Sequence, residues 1–309
     1  MRDAFVGRLL SLAQNDPRIV LVTGDLGFGV LEKFSDKLPK QYVNAGVAEQ
    51  NMTGLAAGMA LDGKIVFTYS IANFPTLRAL EQIRNDAAYH DANVKVVAIG
   101  GGFSYGALGM SHHATEDLAI IRALPQITMF SPGCLWEAEE CAEALVNTAG
   151  TCYLRLDKSS AGRTNRDGEL FAAGKLRQLR FGGDAVLLVT GGILGVALQV
   201  ADMLLEHGIK LSVYSAHSLR PFDEQVLIDA VRSSSACFTL EEHVVAGGLG
   251  GLVAETCMEA GVYPKIFHRF GLRGGYSSIV GSQDYLRQRF GLDATTVSSR
   301  IRQLLQATA

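Results

Sequence analysis

The sequence predicts two α/β domains of unequal size, the first built on a mainly parallel sheet and the second smaller. Three observations lead there. The chain has 309 residues, about twice the usual single-domain length, so two domains are expected. Short β-branched or Leu-rich runs alternate with helical stretches along most of it, the pattern of a parallel sheet covered on both faces. The alternation lapses once, across residues 158–184, where Gly, Ser, Asn and Asp replace the long apolar runs. This gives a first domain at 1–165, a connection at 166–184 and a second domain at 185–309.

In the first domain "IVLVTG" (19–24), "KIVFTY" (64–69), "VKVVAIG" (94–100) and "TCYLRL" (151–156) read as buried strands. Helical periodicity falls at 48–61, 76–89, 116–123 and 135–148. After the connection come "AVLLVTG", a helix over 193–207, "KLSVYSA", a helix over 223–232, "ACFTLEEH" and a helix over 248–260. "FHRFGL" is a further strand candidate, and the last fifteen residues are expected to be helical.

Composition removes several function classes. Lys and Arg number 28 against 31 Asp and Glu, for a net charge of −3, and the basic residues are scattered. No polyanion-binding surface is expected, and hence no nucleic-acid partner. The five cysteines, Cys134, Cys141, Cys152, Cys237 and Cys257, lack metal-ligand spacing and suit a reduced, cytoplasmic setting. No apolar run approaches the ~20 residues a membrane span needs. The amphipathic opening helix carries Asp3, unlike a signal peptide.

One acid stands out. In "VNAGVAEQNMTGLAAGMALDG" Glu49 sits at a predicted helix start rich in Gly and Ala. Internal glycines such as Gly54 and Gly58 each cost about 1 kcal/mol relative to Ala, which suggests another backbone lying close. On these residues alone Glu49 reads either as a first-turn acid favoured by the helix dipole or as a buried functional carboxyl.

The segments "TGDLG" (23–27), "NAGVAEQNMTGLAAGMAL" (44–61), "LEQIRNDAAY" (80–89), "GALGMSHHATEDLAIIRALP" (106–125) and "YLRLDKSS" (153–160) follow one another as in transketolases. Together they resemble that family's pyrimidine-binding domain, and "LEEHVVAGGLGGLVAE" (240–255) resembles its C-terminal domain. The resemblance implies dependence on thiamine diphosphate and transfer of a two-carbon ketol unit between sugars. Met1 leads straight into the first of these domains, and Asp62-Gly63 and Asp167-Gly168 do not match the family's magnesium motif. The chain therefore resembles one half of a split enzyme. A partner subunit of the diphosphate-binding type would hold Mg2+ and diphosphate in an α2β2 assembly that also self-associates through both domains.

The resemblance also implies roles. The acid matching Glu49 hydrogen-bonds the cofactor's aminopyrimidine and assists proton removal from its thiazolium, which calls for an apolar pocket that raises the carboxyl pKa. His112 matches a histidine that contacts the substrate hydroxyl and moves protons, with His113 beside it as a further substrate contact. Phe74, with Tyr69 as neighbour, is the candidate for stacking on the pyrimidine. Arg78 matches an arginine of deoxyxylulose phosphate synthase. Asp25 and Leu26 match a segment that reaches the cofactor across a subunit interface. Arg155 and Arg2 match arginines that grip the sugar phosphate. No residue is expected to bind a metal, and Glu241, Glu242 and His243 are given no catalytic role.

Three departures bear on substrate. A family Asp that reads a donor hydroxyl corresponds to Leu108, a phosphate-binding Ser falls near Gly29, and a phosphate-binding His falls near Gly100. They imply a kept thiamine step acting on a different sugar: less phosphorylated, deoxy, amino or nucleotide-linked. Alternatives are the β subunit of a 2-oxoacid dehydrogenase first component, or a deoxyxylulose-phosphate-synthase-like acyl transfer. A non-catalytic scaffold is disfavoured, because it has no use for a carboxyl in an apolar pocket.

Overall fold

The computed structural model describes residues 1–307. Its first half runs α1 (Arg2–Ala13), β1 (Ile19–Thr23), α2 (Glu32–Lys37), β2 (Tyr42–Asn44), α3 (Glu49–Leu61), β3 (Ile65–Ile71), α4 (Asn73–Thr76) and α5 (Leu80–Gln82). A π-helical turn at Ile83–Ala88 leads on to β4 (Val94–Ile99), α6 (Asp117–Ala123), β5 (Thr128–Phe130), α7 (Leu135–Asn147) and β6 (Cys152–Leu156). Then follow β7 (Arg177–Arg180), β8 (Ala185–Thr190), α8 (Leu194–Leu205), β9 (Leu211–Ser215), β10 (Ser218–Arg220), α9 (Glu224–Arg232) and β11 (Ala236–Val244). The last elements are α10 (Leu249–Glu259), β12 (Ile266–Leu272), α11 (Gln283–Arg289) and α12 (Ala294–Gln306). Residues 308–309, the end of the stretch expected to be helical, lie outside the described residues.

Two sheets result. The first has the strand order β10-β5-β6-β4-β3-β1-β2, and the second β12-β11-β8-β9-β7. Both are parallel except for one edge strand each, β10 on β5 and β7 on β9. β10 comes from the second half of the chain yet closes the edge of the first sheet. β7 lies within 166–184 and caps the second sheet. The strands that the sequence did not reveal, β2, β5, β7 and β10, are only 3 or 4 residues long, too short for a periodic signal.

Residues alternate across the first sheet as the strand period requires. Ile19, Leu21, Ile65 and Phe67 pack under α1 and α7. Val20, Val22 and Val66 face the other way, onto Met52, Ala56 and Ala60 of α3. That second cluster continues into the second domain through Val186 and Leu188 of β8 and Leu227 of α9. Truncating a fully buried member such as Phe67 to Ala costs about 3–5 kcal/mol. The predicted 76–89 helix is instead broken into α4, α5 and the π turn, beginning at Asn73 with Pro75 in its first turn. Among the described residues, no helix is long and apolar enough to cross a membrane.

Candidate active site

β1 and β3 lie side by side, and β1 ends at Thr23, paired with Tyr69 shortly before the end of β3. The loops beyond them meet the start of α3. Glu49, the first residue of α3, is buried, while Val47, Ala48 and Gln50 around it are exposed. A Cβ on Gly24 would stand 3.7 Å from its Oε1. Glu49 Oε2 accepts a hydrogen bond from Arg78 Nη1 at 2.8 Å. Oε1 makes no hydrogen bond among the described residues.

From this carboxylate a series of contacts leads outward. The Arg78 guanidinium lies 4.6 Å above the centre of the half-buried Phe74 ring, a cation–π contact worth roughly 0.5–1 kcal/mol at an exposed site. Phe74 in turn meets the His112 ring edge-on at 5.2 Å, and Ser111 Oγ lies 3.0 Å from His112 Nδ1. Burial, and secondarily the neighbouring His113, hold the His112 pKa below the ordinary imidazole value. The ring is therefore neutral at pH 7 and able to donate or accept a proton. The expected apolar pocket around Glu49 is thus, within one chain, a buried carboxylate held by a half-exposed arginine.

Asp25 and Leu26 follow β1 at the surface. Asp25 takes a left-handed conformation, φ 58°, secured by reciprocal bonds with Asn44: its N–H to Oδ1 at 3.0 Å, and Asn44 Nδ2 to its Oδ1 at 2.9 Å. Both residues line a shallow depression of about 130 Å³ with Phe28 and Tyr42.

Three other residues expected at the site are buried. Tyr69 is buried, its ring reaching Gly27, and burial pushes its phenol pKa up. As part of β3 it packs into the core cluster with Phe5 and Phe67. His113 is also buried, its Nε2 3.1 Å from the Gly106 carbonyl and its ring edge-on to Phe103. Adjacent residues on one turn diverge, so exposing His112 turns His113 inward. Arg155 is 2% exposed and enclosed by Asp157, at 3.1 Å, Asp117, at 3.1 Å, and the Glu242 carbonyl, at 2.9 Å. Each of its three nitrogens donates to one of these groups.

Lys158, which the sequence patterns did not single out, presents its charge near the buried Arg155. It lies on the loop three residues past the buried arginine, its Nζ 3.7 Å above the Tyr105 ring. Gly100, at φ +90°, leaves the space that Tyr105 fills, since a Cβ there would run into the ring. The Lys158 charge is disfavoured by burial and then by Arg2, so the two cations lie within electrostatic reach. Arg2 is half-buried, its Nε 3.0 Å from Asp3. The His112 ring lies tilted against Tyr105, 6.3 Å between centres. The spacing of Lys158 after the "YLRL" strand was the only sequence signal for it.

Gly54 and Gly58 do not meet another backbone within the chain. Only Asp86 Oδ2 comes near a Cβ at Gly54, at 3.9 Å, and nothing lies within 4 Å at Gly58. Beside this open face, Leu55 and Leu61 are exposed, as are Phe28, Val47 and Leu77 near the Glu49 series in the chain. Among the described residues, no group of three or more His, Cys, Asp or Glu is placed to hold a metal ion.

Comparison with known proteins gives two family matches: "Transketolase, pyrimidine binding domain" over residues 1–163 and "Transketolase, C-terminal domain" over 174–297. The chain is 32% identical to a subunit of the apulose-4-phosphate transketolase of Actinobacillus succinogenes, over 96% of each chain. It is 35% identical to the 6-deoxy-6-sulfo-D-fructose transketolase subunit SqwH of Clostridium sp., over 96% of this chain and 92% of that one. Among solved structures, a split-gene transketolase in the form of an inactive β4 tetramer aligns with a TM-score of 0.87 at 33% identity. That alignment covers 99% of this chain and 97% of the other.

Proposed function

The chain belongs to the transketolase family, and from that premise we propose that it is the pyrimidine-binding subunit of a split, thiamine-diphosphate-dependent enzyme. The reaction is transfer of a two-carbon ketol unit between sugars. The observation that carries this reading is the contact series from Glu49 through Arg78 and Phe74 to His112. It joins a buried carboxylate, a flat apolar face and a neutral imidazole.

These residues fit the pyrimidine end of thiamine diphosphate. Glu49 keeps one oxygen unbonded on a buried carboxylate, the acceptor that a protonated ring nitrogen needs, and Phe74 supplies an aromatic wall. When bound, the cofactor supplies the electron sink for cleavage beside a ketose carbonyl. Glu49 holds or releases a proton at Oε1, while Arg78 fixes the carboxylate through Oε2. His112 donates to or accepts from the substrate hydroxyl. Arg2 and Lys158 attract an anionic group at the far end of the sugar. Two relatives act, by name, on sugars bearing phosphate or sulfonate, which supports that choice of substrate class.

A diphosphate-binding partner subunit holds Mg2+ and covers the open face of α3. Three features support association: the bare helix surface at Gly58, the exposed apolar residues near Glu49, and the description of a structural neighbour as an inactive tetramer of β chains. The test is calorimetry and ketol-transfer assay with and without a diphosphate-binding subunit. The chain alone is expected to bind no cofactor tightly and to turn over no sugar. Tight cofactor binding and turnover by the lone chain overturn the reading.

A further inference from the structure

We propose that the C-terminal domain carries a second binding site, for the phosphate group of a small phosphorylated metabolite, held by Arg273 and Arg300. The site is a cavity of about 540 Å³ between edge strand β12 and the start of α12, within the size range of small-molecule pockets. It shares no residue with the Glu49 series.

Its lining is cationic and one-sided. Arg269, Arg273, Arg300 and His268 border it, and no Asp or Glu does. Arg273 gives one Nη2 bond to the Arg269 carbonyl, at 3.0 Å, and Arg300 one long Nη1 bond to Gln303, at 3.4 Å. Among the described residues neither has a carboxylate partner, and both are exposed. Arg269 differs: it donates to the Val245 carbonyl at 2.9 Å and lies in the field of buried Glu241. It is a wall of the site rather than a free cation. The same convergence acts on His268, whose charge is opposed first by burial and then by Arg273, Arg300 and Arg269. Guanidiniums gathered without a counter-ion repel one another, and an anion relieves that cost. Arg also matches phosphate oxygens bidentately. Phe290 and Leu292 supply an apolar border on which the organic part of a metabolite can rest. The bounded cavity and the net charge of −3 favour a small molecule over a polyanion.

The test titrates the full chain, at low salt, with inorganic pyrophosphate and with AMP, followed by calorimetry and by the His268 ring resonances. Both probes are expected to bind, to raise the His268 titration point and to weaken as salt is added. An Arg273→Ala, Arg300→Ala double variant is expected to weaken binding about tenfold or more while unfolding at the wild-type midpoint. Lys158→Met is expected to leave the affinity unchanged. Absence of binding at millimolar probe overturns the proposal. Binding that survives the double variant and disappears with Lys158→Met also overturns it, because it then belongs to the sugar site.

Discussion

Arg155 Nη1 lies 3.1 Å from Asp117 Oδ1, with both side chains buried. Asp117 also accepts from the Tyr153 hydroxyl at 2.7 Å, and the same guanidinium reaches Asp157 and the Glu242 carbonyl of β11. Glu242 extends the network to the Phe103 N–H at 2.5 Å and to Arg287. Gly101 and Gly102 let the intervening loop cross here, since a Cβ at either would collide with Arg155 or Glu242. The arginine therefore ties the two domains together under the loop that presents His112.

Arg155→Met is accordingly expected to act on stability. Removing one partner strands two buried carboxylates, a loss of about 3–5 kcal/mol. Urea unfolding at neutral pH checks this. A variant with the wild-type midpoint and only a raised KM for an anionic sugar would return Arg155 to substrate binding.

Lys158→Met is expected to do what had been expected of Arg155. With Lys158 over Tyr105 and near Arg2, its loss removes a charge that binds substrate in ground and transition states alike. KM for an anionic sugar should rise about tenfold with kcat little changed. The difference between wild type and variant should shrink at high salt. Equal KM values at low salt would remove Lys158 from the site.

Strands that are apolar up to a terminal Thr, such as β1 and β8, were legible because continuous apolar runs are what a sheet covered on both faces demands. The Glu49 to His112 series was legible only through ordered motifs, since residues 29 positions apart, as Glu49 and Arg78 are, meet by topology and not by local pattern. Arg155 shows the limit. A strand-end arginine looks the same in sequence whether its head faces a ligand or two aspartates, and Asp117 lies 38 positions away. Likewise β10, three residues from the second half, joins the first sheet because an edge was left to cover, a tertiary fact without a local signature.

His243 gives a pH prediction. It is buried among Glu241 at 3.7 Å, Asp117 at 3.9 Å and Arg155. Nε2 accepts from the Ala119 N–H, and Nδ1 donates to the Val244 carbonyl, a pattern only the neutral ring satisfies. Burial lowers its pKa to about 4, against about 6.5 unfolded. Between those values the unfolded chain binds a proton that the folded chain refuses, so this group's contribution falls as pH drops from about 6.5 towards 4. Glu241, raised by burial to about 7, acts oppositely, its contribution declining as pH rises from about 4.5 through 7. His243→Gln removes the first effect alone. Its urea midpoint should fall less than that of the wild type between pH 7 and pH 5, and an equal fall would show that His243 is not the group involved.

Glu49→Gln separates the two readings of the acid at the start of α3. A residue kept only to favour the helix dipole contributes about 0.3–1 kcal/mol, so its amide would unfold slightly earlier and turn over normally in the assembled enzyme. A carboxylate that exchanges a proton through Oε1 is needed for the reaction itself. Its amide should assemble with the partner subunit, seen by size-exclusion chromatography, yet lose about 10²–10⁴-fold in kcat. Arg78→Met adds a second check, because Arg78 touches Oε2 and Phe74 but not Oε1. Its loss leaves the acid present and poorly oriented, so kcat should fall by less than in Glu49→Gln. Equal losses in the two variants would make Arg78 a participant in the proton transfer rather than the residue that holds Glu49 in place.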